Sequence, residues 1–152
     1  MMLEYYRVRT NVVPPTRANP SDAGLDLAFN PPEKEEVIVK PGESVILPTG
    51  LKFGIPHGFM LQIMNRSGMA AKKSLIVGAC VVDSGYDGEV FVNLHNIGQQ
   101  PQTIYPGDKI AQGVIVPVVP VRFLEAGEDN LYGWHPISIS NRGDGALGST
   151  GR

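Results

Sequence analysis

The sequence lacks the residues that many scaffolds and phosphate sites are built from. Its 152 residues include a single cysteine, Cys80, which excludes an internal disulfide framework, and its three scattered histidines have no zinc-ligand spacing. Neither G-x-x-x-x-G-K-[ST] nor a G-x-G-x-x-G after a strand is present, and no Ser or Cys has an evident His partner. A formal net charge of -2 excludes a global field that attracts nucleic acid, so no nucleic-acid partner is expected.

Long apolar segments are also missing. The longest apolar run, from Val114 to Val121, is interrupted by two prolines and is far shorter than the roughly 18 residues of a membrane span. The first ten residues have no apolar core of the kind that a signal peptide requires. We therefore expect no membrane partner and a location in the cytoplasm or inside a host cell.

Turn residues are abundant. The 18 glycines and 13 prolines separate short apolar or β-branched runs. These runs are Val37–Val39, Val45–Leu47, Phe59–Met64, Leu75–Val82, Glu89–His95 and Lys109–Val116. In one of them Val90, Val92 and Leu94 alternate with Phe91, Asn93 and His95, which is the period of a half-buried strand. The chain has the length of one domain, and its pattern predicts an all-β sandwich, barrel or jelly roll.

Two segments depart from this pattern. Residues 66–73 contain few strand formers, place Ser67 as a helix N-cap and end in two lysines, which predicts one or two helical turns. After Ser140 the chain is rich in glycine and has only Leu147 as a core-forming residue. That segment is predicted to be mobile unless it orders against something else.

Four features carry possible chemistry, each with a plainer alternative. Arg66 and Ser67 at a helix start suit an anion, or are a solvated cap. Asp83 at the end of an apolar strand suits a partly desolvated general base, or belongs to an ordinary turn. Gln112 lies among apolar residues of a predicted strand, where it either binds a ligand or is a polar group satisfied within the protein. The tail at 141–152 either forms a backbone cradle for phosphates or is a disordered end.

Taken in order, these segments resemble the five motifs of the trimeric dUTPases. The motifs begin with residues 22–27 (DAGLDL) and 66–70 (RSGMA), and continue with 78–88 (GACVVDSGYDG), 106–112 (PGDKIAQ) and 142–151 (RGDGALGSTG). Any single motif is weak, whereas five in the order and spacing of the family are highly specific.

The resemblance implies an all-β distorted jelly roll of the β-clip type, with one short helix and a C-terminal arm. It implies a domain at residues 1–140 and a flexible arm at 141–152 that closes over an active site. It further implies a homotrimer with shared active sites, dUTP as substrate, Mg²⁺ as cofactor, and hydrolysis to dUMP and pyrophosphate. Such an enzyme keeps uracil out of DNA and supplies dUMP.

The resemblance also implies roles for individual residues. Asp83 is expected to activate the attacking water, Tyr86 to stack on the deoxyribose, and Asp26 to organise the water shell of the metal without ligating it directly. Base contacts are expected from the segment 78–82, chiefly Gly78, Ala79, Cys80 and Val81, with Leu147 covering the uracil. Phosphate contacts are expected from Arg66, Ser67, Gly68, Gln112, Arg142, Ser149 and Thr150.

The chain departs from the family pattern at a few positions. Leu147 stands where Phe is usual, Cys80 replaces a common Gly, and Asn65 and Gly85 replace a frequent Pro and a frequent acid. One alternative is a dCTP deaminase of the same fold, but the position of its catalytic Glu is Asn93 here. The other alternative is a nucleotide-gated binding module, against which the intact Asp83 and Tyr86 count.

Overall fold

The computed structural model describes residues 1–145 and 151 of the chain. These residues divide into two compact units, Met1–Pro120 and Val121–Arg152. The first unit contains every strand and the α-helix of the described residues, whereas the second contains a short 3-10 helix, Glu128–Asn130. The expected arm from residue 141 begins inside the second unit, and its separation from residues 1–140 stays a prediction.

The described part of the chain is built from short strands. They are β1 (Glu4–Arg7), β2 (Leu25–Ala28), β3 (Val37–Val39), β4 (Ser44–Pro48), β5 (Leu51–Gly54), β6 (Phe59–Met64), β7 (Leu75–Val77), β8 (Val81–Asp83), β9 (Phe91–Asn96), β10 (Gln102–Ile104) and β11 (Lys109–Pro117). The α-helix, α1, runs over Ser67–Lys73 between β6 and β7. The predicted all-β class with one short helix is confirmed.

All strand pairs of the first unit are antiparallel. The largest sheet has the order β2-β11-β6-β8, a second has the order β4-β9-β7, and two further pairs are β1-β5 and β3-β10. Strands that are distant in sequence are neighbours in space, as expected where Gly and Pro turns repeatedly reverse the chain. In the largest sheet, β8 is an edge strand and β11 lies between β2 and β6.

The core lies inside the first unit and follows the alternation of the strands. Val90, Val92 and Leu94 are at most 2% exposed, whereas Phe91 between them is 46% exposed, so the predicted half-buried strand is confirmed. Leu27, Leu61, Leu75 and Ile110 join them with no exposed surface. Burial of such side chains, at about 1.5–3 kcal/mol each, is what stabilises sheets this short.

Two local predictions were wrong. The run at 75–82 is not one strand, because β7 pairs with β9 while β8 pairs with β6 in another sheet. Residues 78–80 therefore link two sheets, and Cys80 is half-buried in that link. The N-cap of α1 is Arg66, not Ser67, and no side chain makes the capping hydrogen bond.

None of the helices in the described part of the chain is both long enough and apolar enough to cross a membrane.

Candidate functional site

Asp83 lies at the open edge of the largest sheet. It is the last residue of β8 and is exposed, and its C=O accepts a hydrogen bond from the Tyr86 N–H at 3.3 Å. Gly85 takes a φ of 83° in this turn, a conformation that glycine adopts without strain. The predicted turn chemistry and an outward carboxylate thus occur together, although the expected desolvation of Asp83 is not present in the single chain.

A cavity of about 220 Å³ adjoins this carboxylate. Its walls come from β8, the following turn and the start of β9: Val81, Val82, Asp83, Tyr86, Glu89, Val90 and Phe91. Phe91 was not predicted as a site residue. The signal was nevertheless in the sequence, because the period of β9 directs position 91 away from the core that Val90 and Val92 fill.

Tyr86 is held in place by its own turn. Its hydroxyl donates a hydrogen bond to the Glu89 carbonyl oxygen at 2.8 Å. Its ring packs over Gly88, where an added Cβ would lie 2.4 Å from the tyrosine oxygen. Glu89 is in turn ion-paired with Arg9. The aromatic wall beside Asp83 is therefore fixed by backbone and by an ion pair.

The link at residues 78–80 presents backbone groups next to the same cavity. The Ile63 N–H donates to the Cys80 carbonyl at 2.7 Å, so the N–H and C=O of the next residue, Val81, point away from β6. Because β8 is an edge strand, no strand of the described residues pairs on that side. Val81 is 56% exposed. Of the predicted base-contacting residues, it is the one whose donor and acceptor are both oriented outwards.

A second cluster lies around Asp26 on β2. Its Oδ1 accepts from Arg66 Nε at 2.9 Å and its Oδ2 lies 3.2 Å from Lys109 Nζ. The Asp26 side chain is 17% exposed, so the two cations share a mostly buried carboxylate. Lys109, at the start of β11, was not predicted as a site residue. Only the pairing of β2 with β11 brings it here.

The cationic side of this cluster faces a cavity of about 410 Å³. Four of its eight lining residues are basic and one is acidic: Arg66, Gly68, Met69, Lys72, Lys73, Gly107, Asp108 and Lys109. Ser67 and Gly68 are exposed in the first turn of α1, where backbone N–H groups have no partner within the helix. The arrangement suits an anion, as predicted for Arg66.

Gln112 lies beside the same cluster. It faces Asp26 on β2 and Met64 on β6 in the strand register. Its Nε2 donates to the Asn65 carbonyl at 2.8 Å, and a Cβ at Gly24 would lie 2.5 Å from its Oε1. Gln112 is thus confined between Gly24 and the residue that precedes Arg66.

The two clusters are separate within the described part of one chain. No hydrogen bond or ion pair between described residues joins Asp83 or Tyr86 to Asp26, Arg66 or Gln112. In the second unit, the exposed Arg142 donates from Nε to the Gly145 carbonyl at 2.7 Å. The predicted roles of Leu147, Ser149 and Thr150 concern residues outside those that the structure describes.

Metal binding has a limited set of candidates here. Among the described residues, no group of three or more His, Cys, Asp or Glu side chains is arranged to hold a metal ion. Each Asp26 oxygen contacts a cation but keeps a further lone pair, which a metal-bound water can use. Asp26 can therefore orient water around an ion such as Mg²⁺ only when other groups hold that ion, because both of its oxygens already contact cations.

The antiparallel all-β fold carries an exposed carboxylate beside a fixed aromatic ring, and a cationic cavity elsewhere on the chain. These features define a class of protein suited to polyanionic ligands with an apolar part. Comparison with known proteins makes the class specific. Residues 10–151 match the family model described as dUTPase.

Individual relatives agree with that match. Over 149 residues, which are 96% of this chain and 93% of the relative, the chain is 37% identical to the deoxyuridine 5'-triphosphate nucleotidohydrolase of Alcanivorax borkumensis. Among solved structures it resembles a Staphylococcus bacteriophage 80alpha dUTPase mutant with dUpNHpp, with a TM-score of 0.84, 25% identity and 99% of each chain covered.

A mutant dUTPase from phage phi11 of S. aureus, described with a structural Mg(II) ion, shares the fold at a TM-score of 0.76 and 24% identity, over 86% of this chain and 99% of that one. These matches confirm the predicted jelly-roll-like architecture. The chain belongs to the dUTPase family.

Proposed function

We propose that this protein hydrolyses dUTP to dUMP and pyrophosphate, and thereby keeps uracil out of DNA and supplies dUMP. The observation that carries the proposal is the cavity that Asp83 and Tyr86 share next to an open strand edge, in a chain of the dUTPase family. A carboxylate, an aromatic wall and unpaired backbone groups are what a water nucleophile, a deoxyribose and a base require at one place.

Asp83 acts as the general base. It accepts a proton from a water molecule whose oxygen attacks the α-phosphorus, while the bond from that phosphorus to the bridging oxygen of pyrophosphate breaks. A positioned base accelerates such a step by about 10²–10⁴-fold. The exposure of Asp83 in the single chain leaves this carboxylate accessible to a substrate from solution.

The sugar and the base are selected on either side of Asp83. Tyr86, fixed by its hydrogen bond to Glu89, covers the deoxyribose and leaves no room for a 2′-hydroxyl. The outward backbone of Val81, with Gly78, Ala79 and Cys80 behind it, matches the acceptor–donor–acceptor edge of uracil. Cytosine presents the reverse polarity and would leave buried groups unpaired. Leu147 covers the base from the arm.

The phosphates bind at the second cluster. Arg66, Ser67, Gly68 and Gln112 supply donors and positive charge from the first unit, and Arg142, Ser149 and Thr150 supply them from the arm. Phosphoryl transfer depends mainly on positioning and charge neutralisation. Asp26 is the residue that would orient water around a bound Mg²⁺, and the ion would supply further neutralisation of the phosphate charge.

The complete site requires more than one chain. The Asp83 and Asp26 clusters share no hydrogen bond or ion pair within the described residues. Every described residue from 121 to 144 is exposed, including Phe123 at 96% and Trp134 at 81%. Exposed aromatics of this kind mark a protein–protein contact. A homotrimer that joins the clusters of neighbouring subunits and receives the arm at 141–152 accounts for both observations. Action in the cytoplasm or within a host cell is part of the same proposal.

The experiment measures pyrophosphate release with Mg²⁺ from dUTP, dCTP, dTTP and UTP, alongside the molar mass in solution by light scattering. The expected result is rapid release from dUTP alone by a particle of three chains. Ammonia from dCTP would instead establish a deaminase, and nucleotide binding without hydrolysis would establish a binding module. A stable monomer with full activity would contradict the shared site.

A further inference from the structure

Three consecutive backbone N–H groups at the start of the link between β7 and β8 are held by two asparagines. The Val77 N–H donates to Asn65 Oδ1 at 2.7 Å, and the Gly78 N–H donates to the Asn93 carbonyl at 2.9 Å. The Ala79 N–H then donates to Asn93 Oδ1 at 3.1 Å. Asn93 on β9 thus binds two successive peptide groups, one with its backbone and one with its side chain.

The amide of Asn93 is itself fixed in orientation. Its Nδ2 donates to the Val45 carbonyl at 3.1 Å on the neighbouring strand β4. Its Oδ1 also lies 3.1 Å from His95 Nε2. Because that oxygen can only accept, the His95 Nε2 carries the hydrogen in this contact. Three hydrogen bonds therefore prevent the amide from rotating away from Ala79.

The link packs directly on this pair of side chains. A Cβ added at Gly78 would lie 2.3 Å from Asn93 Oδ1 and 2.4 Å from His95 Nε2. Only glycine allows the backbone to approach so closely. On its other side the link is fastened by the Ile63 N–H, which donates to the Cys80 carbonyl at 2.7 Å.

We propose that Asn93, held by His95, is a positioning residue for base selection. It fixes the path of residues 78–80, so that the N–H and C=O of the next residue, Val81, which point away from β6, keep the polarity that fits uracil. This inference rests on the proposed function and extends it to residues that do not contact the substrate. A backbone that reads a base discriminates only while its peptides cannot turn over, since a freed peptide can offer its other group to cytosine.

The experiment measures kcat and KM for dUTP and for dCTP in Asn93→Ala, His95→Ala and His95→Gln. Ser44→Ala is the matched control, because Ser44 is exposed and lies opposite His95 in the β4–β9 register. When a hydrogen bond that Asn93 makes with Ala79 or His95 is lost, the ratio of kcat/KM for dUTP to that for dCTP should fall about three- to tenfold. The change is expected in KM for dUTP, with kcat within about twofold of wild type, because Asp83 is untouched.

The conservative variant His95→Gln distinguishes a positioning role from a general loss of structure. Glutamine keeps an N–H donor that reaches Asn93 Oδ1, so His95→Gln is expected to retain most of the wild-type ratio, as is Ser44→Ala. If Asn93→Ala does not fold, the two His95 variants decide the question. An unchanged ratio in His95→Ala, or a fall only in kcat, overturns the inference while leaving the proposed function intact. Failure of the wild-type protein to hydrolyse dUTP overturns the proposed function, and the inference with it.

Discussion

Asp26→Asn tests whether the cationic cluster depends on one carboxylate. In the wild type, Oδ1 and Oδ2 of Asp26 contact Arg66 Nε at 2.9 Å and Lys109 Nζ at 3.2 Å. The asparagine side chain has a single oxygen, which can accept from Arg66 or from Lys109. The remaining cation then faces the side-chain NH₂ group, which is a donor and cannot accept from it. The substitution also leaves two positive charges close together without their shared counter-ion.

The magnitude follows from burial. A hydrogen bond to a charged group is worth about 1.5–3 kcal/mol when it is well shielded. The side chains of Arg66 and Lys109 are 33% and 46% exposed, so solvent screening reduces that figure. We expect the free energy of unfolding to fall by about 1–2 kcal/mol, which lowers Tm by roughly 2–8 °C in a domain of this size.

The assay is urea and thermal denaturation followed by circular dichroism, at one fixed subunit concentration because assembly stabilises the folded state. Asp87→Asn is the matched control. Asp87 is 3.7 Å from Lys52 Nζ, and its side chain is 97% exposed, so its loss should not change stability measurably. Equal stability of Asp26→Asn and wild type, or an equal loss in both variants, would refute the assigned role of Asp26.

Three further substitutions have defined outcomes. Gly78→Ala should lower the free energy of unfolding by about 1–3 kcal/mol, because the added Cβ would collide with Asn93 and His95. Gly68 has open space around it, so Gly68→Ala should leave the stability measured by denaturation unchanged or raise it. Equal effects of the two substitutions would contradict the close approach at Gly78. Tyr86→Phe removes the hydrogen bond to the Glu89 carbonyl, so the ratio of kcat/KM for dUTP to that for UTP should fall about two- to tenfold. An unchanged ratio would show that the hydroxyl does not position the ring. Leu147→Phe should lower KM for dUTP by adding a stacking face, and an equal or higher KM would show that Leu147 does not cover the base.

Short runs of apolar or β-branched residues were sufficient to locate four of the strands. β3 and β6 have the predicted limits, and β9 and β11 differ from prediction by one or two residues. The short strands β1, β2, β5 and β10 were missed. Each has three or four residues without an unbroken apolar run, and they are strands because a distant partner pairs with them.

The candidate site was predicted where a motif lies within one segment. Asp83, Tyr86 and Arg66 occupy the elements that the sequence indicated. Lys109 and Asn93 were missed as site residues because their contacts cross the sheet, from β11 to β2 and from β9 to the link at residues 78–80. Nothing local distinguishes such a residue from a solvated lysine or an ordinary strand amide.

The departure at position 65 has a structural use. The resemblance expects a proline there, and a proline side chain offers no acceptor. In this chain the Asn65 side chain accepts from Val77, and its carbonyl accepts from Gln112. The asparagine thus connects β7, which leads into the link at residues 78–80, to Gln112 on β11 of the largest sheet.

The central claim is that water, activated by Asp83, attacks the α-phosphorus of dUTP. Hydrolysis in water enriched in the heavy oxygen isotope tests it directly, because mass spectrometry of the products locates the new oxygen. The account predicts label in dUMP and none in pyrophosphate, with turnover reduced by about 10²–10⁴-fold in Asp83→Asn. Label in pyrophosphate, or an Asp83→Asn variant as fast as wild type, would contradict it.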